Sequence, residues 1–301
     1  MNRKTVSLVL GSGGARGLAH IGVIHWLEEN DFKIGSIVGC SIGALIGGIY
    51  AAGKLDIFEQ WVRAITKVDM VTLLDISWEK SGLLKGDKII NALIDLVGAR
   101  LIEELPIPYT AVATDVKGQR EIWIKSGSLF DAIRSTISIP LLFTPYKHKG
   151  IDLIDGGVLN PVPIAPTFGD ETDLTIAVNL NGSADHAVHP ERPTGLDSAP
   201  ASYSSALHEK INRFINHLRP STLISGGRDW GMYDIAMQAF EAMQSTIARQ
   251  KLAAYPPDIL IEIARNACRT LEFDRASEMI ELGYKKAEEC LSQAIEPVWD
   301  H

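Results

Sequence analysis

Ser41 sits in the pentapeptide Gly39-Cys40-Ser41-Ile42-Gly43, the spacing of an esterase nucleophile. Such a serine must project from a sharp strand-to-helix turn, and flanking glycines relieve the crowding that the turn creates. The context suits it, because a strand-like run at 34–38 precedes the pentapeptide and a small, apolar, helix-like run at 42–52 follows it. The start of that helix would set Ser41 near a positive dipole end, where developing negative charge is favoured. Taken alone, the pentapeptide fits a glycine-lined turn with an incidental serine equally well.

A second candidate is the loop Gly11-Ser12-Gly13-Gly14-Ala15-Arg16-Gly17. Consecutive backbone N–H groups at a helix start form an anion site, and glycine lets that backbone approach a ligand closely. A dinucleotide fingerprint would need Gly-x-Gly-x-x-Gly and an acid at the end of the second strand. Neither condition is met, since Arg16 stands where Gly11 and Gly13 require the third glycine, and the second strand runs into Gly39-Cys40-Ser41. An oxyanion hole from Gly13, Gly14 and Ala15, beside Ser41, fits better.

A serine nucleophile needs a base. Of the eight histidines, His20 and His25 lie on the first helix, His186 and His189 in a polar stretch, and His148, His208, His217 and His301 elsewhere. None has the setting of a base at a strand end. Asp155 does: it ends an apolar run, and Gly156-Gly157 lets the chain turn behind it. An ordinary aspartate, with a pKa of about 3.9, is a weak base, and desolvation in a closed site would raise that value. By itself, a structural turn aspartate is the simpler reading.

These residues need elements to hold them. Residues 6–10 read as a buried strand, 18–29 as a helix, 34–38 as a strand and 42–52 as a helix. This order favours a largely parallel sheet covered by helices. Gly47-Gly48 inside the second helix implies close packing against a neighbouring backbone. A helix follows at 87–97, β-rich runs at 109–113 and 121–124 around a turn at Lys117-Gly118, a short helix at 128–135, and a strand at 174–180. Residues 183–204 are polar, contain three prolines and lack a period, so they read as a long loop. Beyond them the chain turns helical. Met232, Ile235, Ala236, Ala239, Phe240, Met243 and Ile247 form one apolar stripe, and residues 273–295 carry another; both read as core packing. The implied organisation is a catalytic α/β domain over 5–181, a polar loop over 182–204, and a mainly helical extension over 205–301 packed on the same domain.

A chain of 301 residues, 46% of them hydrophobic, can bury a large core. The net charge of −8 argues against nucleic-acid binding and against a polybasic membrane patch, because no basic face is available. Apolar, peripheral membrane contact stays open. Three cysteines without paired spacing suggest a reducing compartment. With no run near the roughly 18 apolar residues of a span and no signal-peptide pattern, the expectation is a cytoplasmic protein that touches membranes at most peripherally. No His, Cys, Asp or Glu group has ligand spacing, so neither metal nor cofactor is expected. Val68 to Leu84, with Trp78, reads either as cover for an acyl channel or as a packed connecting helix.

Together these blocks resemble the patatin-like phospholipase family, in its bacterial branch related to neuropathy target esterase. The resemblance rests on Gly14-Ala15-Arg16-Gly17, on the pentapeptide at Ser41, on Asp155-Gly156-Gly157, and on the Ser138 to Pro145 block, similar to the family's Pro-x-x-Phe-x-Pro. Gly82-Leu83-Leu84-Lys85-Gly86 also looks like this branch. The match runs from about residue 8 to 166. It implies a three-layer α/β/α fold and a Ser–Asp dyad without a catalytic histidine, Ser41 as nucleophile, Asp155 as base and oxyanion donors from the 11–17 loop. The implied activity is hydrolysis of acyl esters of phospholipids or lysophospholipids through an acyl-enzyme. One departure is Ser12, where the family's glycine pattern would have its first glycine. Two rival readings are a Ser–His–Asp esterase with a distant histidine and a non-catalytic lipid-binding regulator.

Overall fold

The computed structural model describes residues 3–66, 69, 84–185 and 232–295. Within these, eight strands form one mixed, mostly parallel sheet. In chain order the elements are β1 (Thr5–Leu10), α1 (Ala19–Glu29), β2 (Lys33–Cys40), α2 (Ile42–Ala51), α3 (Leu55–Ala64) and α4 (Asp87–Val97). Then come β3 (Tyr109–Asp115), β4 (Arg120–Ile124), α5 (Leu129–Thr136), β5 (Tyr146–His148), β6 (Ile151–Asp155) and β7 (Leu174–Gly182). The chain ends in α6 (Met232–Ala254), β8 (Ile259–Ala264) and α7 (Ala276–Ile295).

The strand order is β5-β6-β3-β2-β1-β7-β8, with β4 also paired to β3. β1 is parallel to β2 and β7, β2 to β3, and β7 to β8. The arm of β4, β5 and β6 is antiparallel. Alternation along β1 feeds both faces of the sheet: Leu8 and Leu10 join the large core, while Val9 joins a small cluster with Val162, Ile164, Ala177 and Ala248. The large core takes in α1, α2, α5 and α7, whereas Ala248 of α6 packs on the opposite face. The result is helix, sheet, helix, the three layers that two apolar sheet faces require.

Several local expectations need correction. Residues 259–264 are a strand, not part of a helical tail; the run Ile-Leu-Ile-Glu-Ile-Ala pairs in parallel with β7 and extends the sheet. The helix α3 was not foreseen. Gly47 and Gly48 face side chains rather than backbone: a Cβ at Gly47 would meet the Ile37 side chain, and one at Gly48 the side chains of Leu129 and Tyr109. The stripe expected to pack from α6 is partly on the outside, with Ile235 at 53% and Met243 at 56% exposure. The buried face of α6 instead carries Gln244, Ser245 and Ala248. Of the two uncertain stretches, Val68 to Leu84 lies outside the described residues except for Asp69 and Leu84, and 183–204 lies outside except for 183–185.

Arg134 shows how the block before β6 is held. It is buried, donates to Ser138 Oγ at 2.5 Å and to the carbonyls of Lys85 and Thr144, and lies between the rings of Phe143 and Tyr146. Burial pulls its guanidinium below the usual arginine range, yet the charge is met by acceptors and ring faces on several sides. This fixes the turn that feeds β6 and hence Asp155.

Candidate active site

The edge of β3 sets Ser41 beside Asp155. β4 pairs with β3 from Ala111 to Asp115 and so fills one edge. The other edge is shared: β2 occupies it up to Cys40 opposite Val112, and β6 takes over with Asp155 opposite Ala113. A parallel strand ending and an antiparallel strand ending therefore meet at adjacent registers. Ser41 leaves the first and Asp155 ends the second.

Ser41 has φ 56 and ψ −125, a left-handed conformation that costs a non-glycine residue about 1–3 kcal/mol. The tightness next to it is visible at Gly43, where a Cβ would lie 2.1 Å from the Leu10 carbonyl oxygen. The Ser41 N–H donates to Thr136 Oγ1 at 2.8 Å, and that hydroxyl donates to the Val112 carbonyl at 2.6 Å. Thr136 thus locks the strained turn to β3. Sequence reasoning gave no reason to single it out, since a threonine at a helix end carries no spacing signal.

The Ser41 hydroxyl donates to Asp155 Oδ2 at 2.5 Å. Asp155 Oδ1 accepts the Gly157 N–H at 2.7 Å and faces the Cys40 thiol at 3.9 Å. Asp155 is 1% exposed and Ser41 3%. Burial pushes the Asp155 carboxyl up to about 6, and the hydrogen bonds from Ser41, Gly157 and Cys40 oppose that rise. A carboxylate held there is a far better proton acceptor at neutral pH than an exposed one. Burial and the neighbouring Asp155 push the Cys40 thiol well above its ordinary value. It stays neutral and does not compete as a nucleophile.

In the glycine loop, three amides are already engaged. Gly11 N–H donates to Val178 O at 3.0 Å, Ser12 N–H to Pro161 O at 2.8 Å, and Ala15 N–H to Thr270 O at 2.8 Å. Ala15, expected as an oxyanion donor, is therefore spent on the C-terminal segment. Gly13 and Gly14 N–H groups have no partner among the described residues. Gly14 has φ +59, and a Cβ there would sit 2.5 Å from the Thr270 carbonyl oxygen. Arg16 is buried and donates to the carbonyls of Arg265 and Cys268, both at 3.1 Å, binding the loop to the chain after β8. A Cβ at Gly17 would strike the Ile42 side chain, one at Gly39 would strike Ala44, and one at Gly156 would lie 2.0 Å from the Val112 carbonyl oxygen.

Ser41, Asp155, Gly13, Gly14 and Arg16 line one small cavity of about 20 Å³, room for a single water. Its outer wall is Met237, Phe240, Glu241 and Gln244 of α6. Gln244 Nε2 reaches Ser12 Oγ at 3.4 Å, and Glu241 accepts from Thr270 Oγ1 at 3.0 Å. None of these wall residues was foreseen as part of the site. Their signal is a stripe at spacings of three and four on the face of α6 opposite Ile235.

The described histidines lie elsewhere. His20 Nε2 meets Gly11 O at 2.9 Å, His25 pairs with Glu59, and His148 belongs to β5. His186, His189, His208, His217 and His301 lie outside the described residues. Among the described residues, no group of three or more His, Cys, Asp or Glu side chains could hold a metal ion. No helix among them is long and apolar enough to cross a membrane.

The chain is similar to several known proteins. A family model described as patatin-like phospholipase matches residues 8–168. An uncharacterized NTE family protein of Mycobacterium tuberculosis is 37% identical over 338 aligned residues, which cover 95% of this chain and 91% of that protein. The Pyricularia oryzae protein named lysophospholipase NTE1 is 28% identical over 96% of this chain, which spans 18% of that much longer protein. The mouse protein named patatin-like phospholipase domain-containing protein 6 is 30% identical over 64% of this chain and 15% of its own length.

Proposed function

The chain belongs to the patatin-like phospholipase family, and from that premise we propose that it hydrolyses acyl esters of phospholipids or lysophospholipids with a Ser41–Asp155 dyad. The observation that carries the reading is the 2.5 Å hydrogen bond from Ser41 Oγ to Asp155 Oδ2 between two buried side chains that line one small cavity. The names of the lysophospholipase relatives support the substrate class. Domain limits follow the same reading, with one modification: β8 pairs with β7 and α6 walls the cavity, so the described residues 232–295 count as part of the catalytic unit.

The steps run as follows. Asp155 Oδ2 accepts the Ser41 proton while Oγ attacks the ester carbonyl carbon. The N–H groups of Gly13 and Gly14 receive the negative oxygen of the tetrahedral intermediate. Asp155 returns the proton to the leaving alcohol, and the acyl group stays on Ser41. Water, losing a proton to Asp155, then attacks the acyl-enzyme, and Asp155 hands that proton to Ser41 Oγ as the fatty acid leaves. Oδ1 keeps its bond to Gly157 N–H throughout, so the carboxylate holds its orientation as the proton moves.

A fluorophosphonate probe tests the premise, because only an activated serine reacts with it. Labelling is expected on the Ser41 peptide by mass spectrometry, and to be absent from Ser41→Ala. An unlabelled wild-type protein would favour a lipid-binding role instead.

The acid limb of catalysis follows from Asp155. Its carboxyl, raised to about 6 by burial, must be ionised to act. The rate kcat/KM is therefore expected to be full above that value. Below it, the rate should fall about tenfold per pH unit as the carboxylate protonates. A profile flat from pH 7 down to 5 would exclude Asp155 as the base.

A further inference from the structure

The Ser12–Gly13 peptide plane carries the free Gly13 N–H, the Gly11–Ser12 plane comes just before it, and each is pinned from outside the loop. Asn181 Nδ2, from β7, donates to Ser12 O at 3.2 Å. His20 Nε2, from the first turn of α1, meets Gly11 O at 2.9 Å, and the other end of that plane is held by Ser12 N–H on Pro161 O. A trans peptide is planar, so its N–H points opposite to its C=O. Fixing Ser12 O on Asn181 therefore directs Gly13 N–H to the other side, and Gly13 lines the cavity that holds Ser41.

We propose that Asn181 and His20 are positioning residues of the oxyanion hole, which aim the Gly13 N–H by holding the carbonyls of Ser12 and Gly11. The inference rests on the reading of Ser41 as the nucleophile. A bond at Ser12 O also polarises the amide it shares with Gly13, making that N–H a stronger donor.

The environment supports a fixed clamp. Asn181 is 6% exposed and His20 is fully buried. The Asn181 N–H is itself held by Asn179 Oδ1 at 3.0 Å, and Asn179 Nδ2 donates to Glu262 on β8 at 3.0 Å. Ser12 O is an acceptor only, which sets the orientation of the Asn181 amide. Gly11 O likewise requires the hydrogen on His20 Nε2, leaving Nδ1 bare, and Nδ1 has no partner. Burial lowers His20 to about 4, so the imidazole stays neutral and donating across the range where Asp155 titrates. A buried imidazole with an unpartnered nitrogen is a poor choice for packing alone. Its one bond is to the loop.

The test uses the full chain and p-nitrophenyl butyrate, with kcat, KM, melting temperature and fluorophosphonate labelling rate measured for Asn181→Asp, Asn181→Leu, His20→Leu and His20→Gln. Asn181→Asp keeps shape but loses the donor, and His20→Gln places an N–H where Nε2 was. Removing an oxyanion donor outright costs about 10²–10³ in kcat, so misaiming one is expected to cost roughly 10–100-fold, with KM changed less than about threefold. Both Asn181 variants and His20→Leu should show this loss and label slowly, while His20→Gln recovers to within about threefold of wild type. The acid limb should stay where it is in the wild type, since the base is intact. The proposal is overturned if Asn181→Asp and His20→Leu both keep wild-type kcat, or if His20→Gln is as impaired as His20→Leu. A wild type whose turnover does not depend on Ser41 overturns the proposed function itself, a result distinct from either.

Discussion

Ser41→Ala and Asp155→Asn are each expected to lower turnover of a soluble acyl ester on the order of 10⁴-fold or more, as when a nucleophile or its base is removed from other serine hydrolases. Both proteins should stay folded. Alanine fills the same volume at Ser41, and asparagine at Asp155 still accepts the Gly157 N–H. Asp155→Asn should in fact melt higher. The native state holds this carboxyl at about 6 against an ordinary 3.8, so between those values the fold binds a proton that the unfolded chain releases. Stability therefore falls as pH rises through that window, and above it the ionised, buried carboxylate costs about 3 kcal/mol at 1.36 kcal/mol per pH unit. The neutral amide removes this cost. Steady-state kinetics and thermal melts at pH 7.5 check both halves, and a variant retaining a tenth of wild-type kcat would reject the dyad.

Gly22→Val and Gly283→Val are the substitutions expected to damage the fold most. A Cβ at Gly22 would lie 1.9 Å from Ile280 O and 2.5 Å from Tyr284 N, and one at Gly283 would lie 1.9 Å from Ala19 O. The obstacles are backbone atoms on both sides, so α1 and α7 must separate, and no side chain can rotate to make room. Overpacking of this kind typically costs 1–3 kcal/mol; with backbone as the obstacle the expected loss is about 3 kcal/mol or more. For a chain of this size the melting temperature should drop by roughly 5 °C or more. A drop below 2 °C would mean the helices pass each other more loosely than described. Because α1 begins where the glycine loop ends and carries His20, activity should fall with stability.

The legible part of the site was what depends on local backbone demands. Gly39, Ser41 and Gly43 announce a turn whose steric needs are written in adjacent residues, and Asp155-Gly156-Gly157 announces another. The contact between them is not local. It follows from β2 and β6 sharing one edge of β3, and no period in the sequence records which edge a strand takes. The same reason hid Ala15: its amide looks available within the loop, but Thr270, more than 250 residues later, takes it. The α/β alternation to residue 181 was readable because parallel strands buried on both faces are long and apolar. β8 was not, since its six residues lie between two long helices and alternate only briefly. The apolar stripe of α6 is only partly buried for a physical reason. A helix over a polar site turns Gln244 and Glu241 inward beside Phe240, so the apolar stripe alone does not mark the buried side.

The wall that α6 puts across the cavity makes one helix part of the substrate's surroundings. Met237, Phe240, Glu241 and Gln244 leave beside Ser41 a space that only water fits, while the far half of the helix is moored by Lys251 on Glu121 at 2.7 Å and by Ala248. An ester that reaches Ser41 therefore meets these four side chains as well as the glycine loop.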